Sequence, residues 1–243
     1  METQIQRVTH EIPYRGIGYL IFRHCAAAER DRQLPPREIQ SLEEQGAKEI
    51  YVASTDPEAP FAEGAIGTVR LTHVHDMLEM ERDLDGNRPR RGGRLRAVPL
   101  TEALGEQWLT LYNEAFSTVP NAATYGQEEL AEMLAEPGSC GLVLEDDMPV
   151  GIYELDLQTG EIEGIGLTET ARGRGLGREL LLLAMDLLAE HGYDSCWLLV
   201  STGNQVAYQL YQKIGFHTRQ VRSRWFRAET TGQKDRNTEE DGI

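Results

Sequence analysis

Apolar residues recur at Leu176, Leu180, Leu183, Ala184, Leu187 and Leu188, the i, i+4, i+7, i+8 spacing of one helical face. This predicts a long amphipathic helix closed by His191-Gly192. Before it, Glu161 to Leu167 reads as a short strand. After it, Ser195 to Ser201 (SCWLLVS) is almost unbroken apolar, as in a strand buried on both faces. Strand, helix and strand in this rhythm form a βαβ unit with a parallel pair.

The remaining pattern predicts two segments. In residues 1–87, strands are expected at Ile17 to Phe22, Lys48 to Ser54 and Thr68 to Thr72, with a helix from Arg37 to Gln45 after the Pro35-Pro36 break. Asp56 to Pro60 reads as a loop, and Val74 to Leu84 is rich in good helix formers without a clear period. Asn87 to Gly93 (NRPRRGG) combines Pro, paired Gly and Arg, so 88–93 is expected to be an exposed linker. In residues 94–228, a strand at Arg94 to Leu100 precedes a helix to Phe116, with Thr101 as N-cap and Gly105 inside it. Ser117 to Tyr125 is a polar, Pro-broken connector, and Gln127 to Ala135 a second helix. Strands at Ser139 to Leu144 and Val150 to Leu157 flank a hairpin turn at Glu145-Asp146-Asp147-Met148, and His217 to Arg227 supplies the last strand or two. Residues 229–243 are polar without apolar period and read as a disordered tail. The fold class is α/β. SLEEQGAKEIYVAST and DLLAEHGYDSCWLLVST share a helix–Gly–strand rhythm, so residues 1–87 are open to reading as a degenerate half of the later fold.

Composition narrows the function classes. The 243 residues are 40% hydrophobic, enough for packed cores, and no run approaches the roughly 20 apolar residues of a membrane span. Cys25, Cys140 and Cys196 are few, odd in number and widely spaced, which suits reduced thiols and a cytoplasmic setting. A net charge of −16 argues against a nucleic-acid partner and mildly favours a cationic substrate. His73, His75 and Asp76 form an H-x-H-D pattern, but no third His or Cys lies near, and no metal is assigned.

Against that acidic background, Arg172-Gly173-Arg174-Gly175-Leu176-Gly177 concentrates arginine and glycine at the start of the long helix. Glycines let backbone N–H groups approach an anion, and the helix start adds unpaired donors and the positive end of the macrodipole. Arg172, Arg174 and Arg178 add forked cations suited to phosphate oxygens. The combination is a candidate pyrophosphate cradle.

Two motifs carry a resemblance. Arg172-x-x-Gly175-x-Gly177 follows a strand end at Leu167. Asn204, Ala207, Leu210, Tyr211, Lys213, Gly215 and Phe216 then form N-x-x-A-x-x-L-Y-x-K-x-G-F after the buried strand. Over about residues 94–228, and most specifically from Ile165 to Phe216, the chain resembles the GNAT family, the Gcn5-related N-acetyltransferases. The resemblance implies a mixed sheet that splays between its fourth and fifth strands. Pantetheine would lie against Ile165, Gly166 and Leu167, and pyrophosphate on Arg172, Gly173, Arg174, Gly175, Leu176 and Gly177, with Asn204 and Tyr211 completing the acetyl-CoA site. The implied reaction is direct transfer of an acetyl group to a primary amine of a small molecule or peptide, of the EC 2.3.1 type. A CoA-binding sensor or interaction module without catalysis is the second class, and another nucleotide phosphate ligand the third. Apart from the resemblance, the N-terminal segment 1–87 is expected to cover the acceptor groove or to build a homodimer.

Acyl transfer requires a polarised carbonyl, for which the Leu167 N–H is the candidate, a deprotonated amine held close, and a protonated leaving thiolate. The resemblance places Tyr211 at the last role, and a phenol stays protonated at neutral pH. For the base, Glu161 and Glu163 share a strand face, and Glu154 lies on the preceding strand. Glu163 is the residue chosen. Cys196, in a buried apolar strand, is unsuited to an acyl relay.

Overall fold

The computed structural model describes residues 4–24, 36–55, 61–84, 89–119 and 121–231. Two compact units form, one from residues up to 77 together with those from 221, the other from 78–220.

In the first unit, β1 (Gln4–Val8) pairs antiparallel with β2 (Ile17–His24), which runs parallel to β3 (Glu49–Ser54). The short α1 (Ile12–Arg15) turns the chain between β1 and β2, and α2 (Pro36–Glu44) lies in the β2–β3 crossover. The short β4 (Gly64–Ile66) pairs with β5 (Val69–Asp83), and β3 pairs with β11 (His217–Thr230). The α2 residues Ile39 and Leu42 pack with Leu20, Phe22, Val52, Leu71 and Phe226, while Tyr19, Ala53 and Trp225 form a separate cluster. His73 bonds Asp76 through Nε2 at 2.8 Å, and His75 stacks on Trp225 at 6.0 Å.

The second unit holds β6 (Leu95–Pro99), α3 (Gly105–Phe116), α4 (Gln127–Ala135), β7 (Cys140–Glu145), β8 (Met148–Asp156) and β9 (Glu161–Leu167). It continues through α5 (Leu176–Glu190), β10 (Ser195–Ser201) and α6 (Gln205–Ile214). Its sheet order is β11-β5-β10-β9-β8-β7-β6. Strands β6 to β9 are antiparallel neighbours, and β9–α5–β10 is the expected parallel crossover. Leu176, Leu180, Leu183, Ala184 and Leu188 are all buried, as their helical spacing requires. Trp108 and Tyr112 of α3 pack on Cys140, Leu142 and Ile152 of the sheet. Asp146 and Asp147 both take positive φ (48° and 63°) in the β7–β8 turn, the two-residue hairpin geometry that Asp tolerates.

Several expectations need correction. Val74 to Asp83, with its helix formers, belongs to β5: pairing along a sheet overrides intrinsic propensity. β5 and β11 each contribute residues to both compact units, so the units divide within strands and not at 88–93. Part of that segment is also tied down: Arg91 Nε donates to Asp186 at 2.7 Å, and the Gly92 N–H donates to Glu179 at 2.6 Å. Thr101 makes no side-chain cap bond, because a 3₁₀ turn at Glu102–Leu104 intervenes and α3 begins at Gly105. β11 runs on to Thr230, beyond the expected strand end at Arg227, and the Thr231 N–H that follows donates to Thr68 O at 2.7 Å. The expected loop 56–60, the start of the linker, Cys25 and the tail beyond 231 lie outside the described residues. Among the described residues, no helix is long and apolar enough to cross a membrane.

Candidate active site

The parallel neighbours β9 and β10 are in register at one pair, Trp197 with Glu161, at the start of both strands. On its other side β9 stays in register with β8 as far as Leu167 with Gly151. The sheet therefore separates beyond that first pair, and Ile165, Gly166 and Leu167 lie where β9 has left β10. This is the opening expected between the fourth and fifth strands of the unit.

Past Leu167, a 3₁₀ turn at Glu169–Ala171 leads into the glycine loop. Gly173 (φ 73°) and Gly175 (φ 77°) adopt the left-handed conformation, and a Cβ at either would meet nothing within 4 Å. The backbone there is exposed on an open surface, directly before α5 and its unpaired N–H groups. Leu176 is fully buried beneath it, and Gly177 lies against Leu210 of α6.

The arginines are placed differently from a simple phosphate clamp. Arg172 donates from Nε to Leu167 O at 3.2 Å and from Nη2 to Ala115 O at 2.9 Å, tying the end of β9 to the last turn of α3. Glu114 accepts from the Glu169 N–H at 3.0 Å and secures the same corner. Arg174 bonds Glu145 at 2.6 Å, and Arg94 takes the other oxygen of that carboxylate at 2.6 Å. The hydrogen bond from Arg94, with the charge of Arg174, holds Glu145 below the usual carboxylate range. Arg178 stands 3.9 Å from Glu179. Residue type alone marks these side chains as cations; it does not show that Arg172 braces backbone or that Glu145 and Arg94 belong to the group.

The carboxylates lie on β8 and β9. The register shifts between Glu154 and Leu155, where Gly164 opposes Glu154 and Ile162 opposes Leu155, so Glu163 is the extra residue of a bulge. Carboxylate oxygens of Asp156, Glu161 and Glu163 lie within 4.8 Å of one another. Glu163 is exposed. Partial loss of water, with the charges of Asp156 and Glu136, raises its ionisation range. Glu154 is only 3% exposed. Burial first, and then the charge of Glu163, push it up to about 7, against a hydrogen bond from the Tyr125 hydroxyl. That hydroxyl donates to Glu154 Oε1 at 3.1 Å. Opposite Glu154, Gly164 leaves the space a side chain would take: a Cβ there would come within 3.1 Å of Glu154 Oε2. Gly166 lets α3 sit close, since its Cβ would fall 2.6 Å from that of Ala115.

The second motif closes the unit. Asn204 accepts from the Ala207 N–H at 3.3 Å and caps α6, which packs on β10 and α5. Tyr211 is buried in α6 with its ring 5.9 Å from Phe216, and burial pushes its phenol up to about 12. Cys196 is buried in β10. Tyr112 joins the site without having been singled out from sequence. Asn113 and Tyr125 bound a stretch where acceptor specificity was expected to be read, but it carries no recognisable motif.

Residues 105–216 match the acetyltransferase (GNAT) family. A mycothiol acetyltransferase from Beutenbergia cavernae is 35% identical over 51% of this chain and 45% of its own length. One from Mycobacteroides abscessus is 31% identical over 73% of this chain and 64% of its own length. The chain thus spans less than two thirds of these curated relatives. Among solved structures, a GCN5-related N-acetyltransferase from Sphaerobacter thermophilus superposes with a TM-score of 0.61 at 17% identity, covering 94% of this chain and 76% of the other. One from Kribbella flavida gives 0.56 at 17% identity, covering 96% of this chain and 88% of the other. The segment 105–216, which contains the split β9–β10 pair and the glycine loop, matches the GNAT acetyltransferase family.

Proposed function

We propose that this protein is an acetyl-CoA-dependent N-acetyltransferase that transfers an acetyl group directly to a primary amine of a small molecule or peptide. The observation that carries the reading is the single-register β9–β10 pair, which opens the sheet directly beside the exposed glycine loop. The residues fit the donor. A Cβ-free loop at a helix start suits a pyrophosphate, and the free flank of β9 from Ile165 to Leu167 suits an extended amide chain. Bound there, acetyl-CoA supplies an activated thioester.

The chain's own groups then handle the protons. Glu154, with a pKa near 7, is matched to taking a proton from an ammonium at neutral pH. Glu163 tunes Glu154 by its charge and forms the acidic lip with Asp156 and Glu161. The amine nitrogen bonds the acyl carbon as the C–S bond breaks, and the Tyr211 hydroxyl holds the proton for the departing sulfur. Arg172 serves the site by bracing Leu167 and Ala115, and Asn204 by capping α6. The relatives' activity makes mycothiol-type amines natural members of an acceptor screen.

The test is calorimetric titration with acetyl-CoA of the intact protein and of Gly173→Asp. Asp tolerates positive φ, so the fold is kept, while a carboxylate enters the space reserved for phosphate. Binding is expected to weaken at least about tenfold, with Gly173→Asn, neutral and equally tolerant, falling in between. Arg172→Ala is expected to weaken binding through loss of the corner brace. Equal binding by Gly173→Asp and the intact protein would remove the cradle. Tight binding with no turnover on any amine would support a sensor.

A further inference from the structure

We propose that Asn113 and Tyr125 form a positioning device for Glu154, in which Asn113 fixes the Tyr125 backbone and the Tyr125 hydroxyl fixes the carboxylate. The inference rests on the reading of Glu154 as the amine's proton acceptor.

Tyr125 lies in the stretch between α3 and α4 that has no regular structure, so no ladder of backbone bonds holds it. Asn113, on α3, supplies the missing pair: its Nδ2 donates to Tyr125 O at 2.9 Å, and its Oδ1 accepts from the Tyr125 N–H at 2.9 Å. Only a side-chain amide offers a donor and an acceptor at this spacing. Aspartate lacks the donor, and leucine lacks both. The ring is fixed as firmly as the backbone. It stacks on Tyr112 with centroids 4.0 Å apart and planes at 8°, and lies 6.2 Å from Trp108. A residue held at both main chain and ring has little freedom left at its hydroxyl, which reaches Glu154 Oε1 at 3.1 Å. Surface anchoring of a loop would not need this aim. The clamp joins α3, the connector and β8 at one carboxylate.

The surroundings give the sign of its effect. Tyr125 and Tyr112 face Glu154 from the α3 side and Glu163 from β9. Cys140 faces it from β7, where it is the register partner of Glu154, with its thiol pushed up to about 12. Glu136 and Asp156 act on Glu163 in turn. Burial and Glu163 favour the protonated carboxyl. The Tyr125 hydroxyl, as a donor, favours the carboxylate. Loss of that donor raises the pH at which Glu154 ionises.

The experiment is a ¹³C NMR titration of protein labelled at glutamate side-chain carboxyls, with the Glu154 signal assigned by its loss in Glu154→Gln. Tyr125→Phe, which keeps the ring and its stacking, is expected to raise the Glu154 midpoint by about one pH unit, a tenfold change in ionisation. Asn113→Ala is expected to shift it the same way. The double variant should go no further than Tyr125→Phe alone, because Asn113 acts through Tyr125. Glu163→Gln should lower it. With an accepted amine, the acid limb of the kcat/KM profile should move in the same order. An unmoved midpoint in folded Tyr125→Phe and Asn113→Ala protein would overturn the proposal. Shifted midpoints in a protein whose Glu154→Gln variant still transfers acetyl groups would support the positioning device and overturn the base reading instead.

Discussion

Replacing Glu154 with glutamine is expected to cut acetyl transfer by about 10²- to 10⁴-fold, the usual span for removal of a general base, and at the same time to stabilise the fold above neutral pH. The two effects share one cause. A carboxyl 3% exposed and pushed up to about 7 holds its proton in the folded state more tightly than in the unfolded chain, where it ionises near its ordinary value of 4.5. Below about 4.5 both states are protonated and the group has no effect on stability. Between 4.5 and 7 the unfolded chain gives up its proton while the folded one keeps it, so stability falls as pH rises. Above 7 the buried charge weighs in full, up to about 3 kcal/mol. Glutamine never carries that charge, and its amide oxygen still accepts from Tyr125. Melting temperatures of the two proteins should therefore coincide near pH 4.5 and diverge by pH 8. The variant should be the higher there, by about 2–4 °C for each kcal/mol relieved. Calorimetric scans across this range need no acceptor. A variant less stable than the parent at pH 8 would show that Glu154 is held as a satisfied structural charge, not as a poised base.

Such a group illustrates which parts of the molecule were legible in the amino-acid order. The α5 stripe, the apolar run of β10 and the Gln127–Ala135 helix are set by local periodicity, and the structure has them at the expected residues. The βαβ crossover and the Asp146-Asp147 turn followed from equally local chemistry. β5 did not, because its second half carries Met, Leu and Glu in no strand period and becomes a strand only through its sheet neighbours. The segment 88–93 read as solvated linker because Pro, Gly and Arg mark loops. Its ties to Glu179 and Asp186 join residues 87 and 95 positions apart, which no local pattern records.

The candidate site divides along the same line. Its glycine loop and the α6 block are contiguous, and both could be read directly. The partners of its side chains are not contiguous: Arg172 finds Ala115, and Arg174 finds Glu145, across 57 and 29 residues. The shift of emphasis from Glu163 to Glu154 has the same origin. Alternation along β9 correctly put Glu161 and Glu163 on one face, but only the bulge and the seating of α3 reveal which carboxylate is buried beneath an aromatic pair.

Tyr211→Phe should affect the other end of the reaction. The substitution keeps the ring and its contact with Phe216, so acetyl-CoA binding by calorimetry is expected to stay within about threefold and stability within about 1 kcal/mol. Turnover with an accepted amine should fall by about 10²- to 10⁴-fold, because the sulfur leaves as a thiolate unless a proton is supplied as the C–S bond breaks. The pH dependence separates this role from simple packing. Burial pushes the Tyr211 phenol up to about 12, so its proton is present throughout the working range. The intact protein should show an acid limb near 7, set by Glu154, and no alkaline loss from Tyr211 up to about pH 10. In Tyr211→Phe the acid limb should stay where it is while the plateau drops, since the group removed is not the one that titrates. A variant with unchanged kcat and an unchanged profile would mean that solvent protonates the sulfur and that the tyrosine is a packing residue of α6. A fall in kcat with binding intact would assign it the proton.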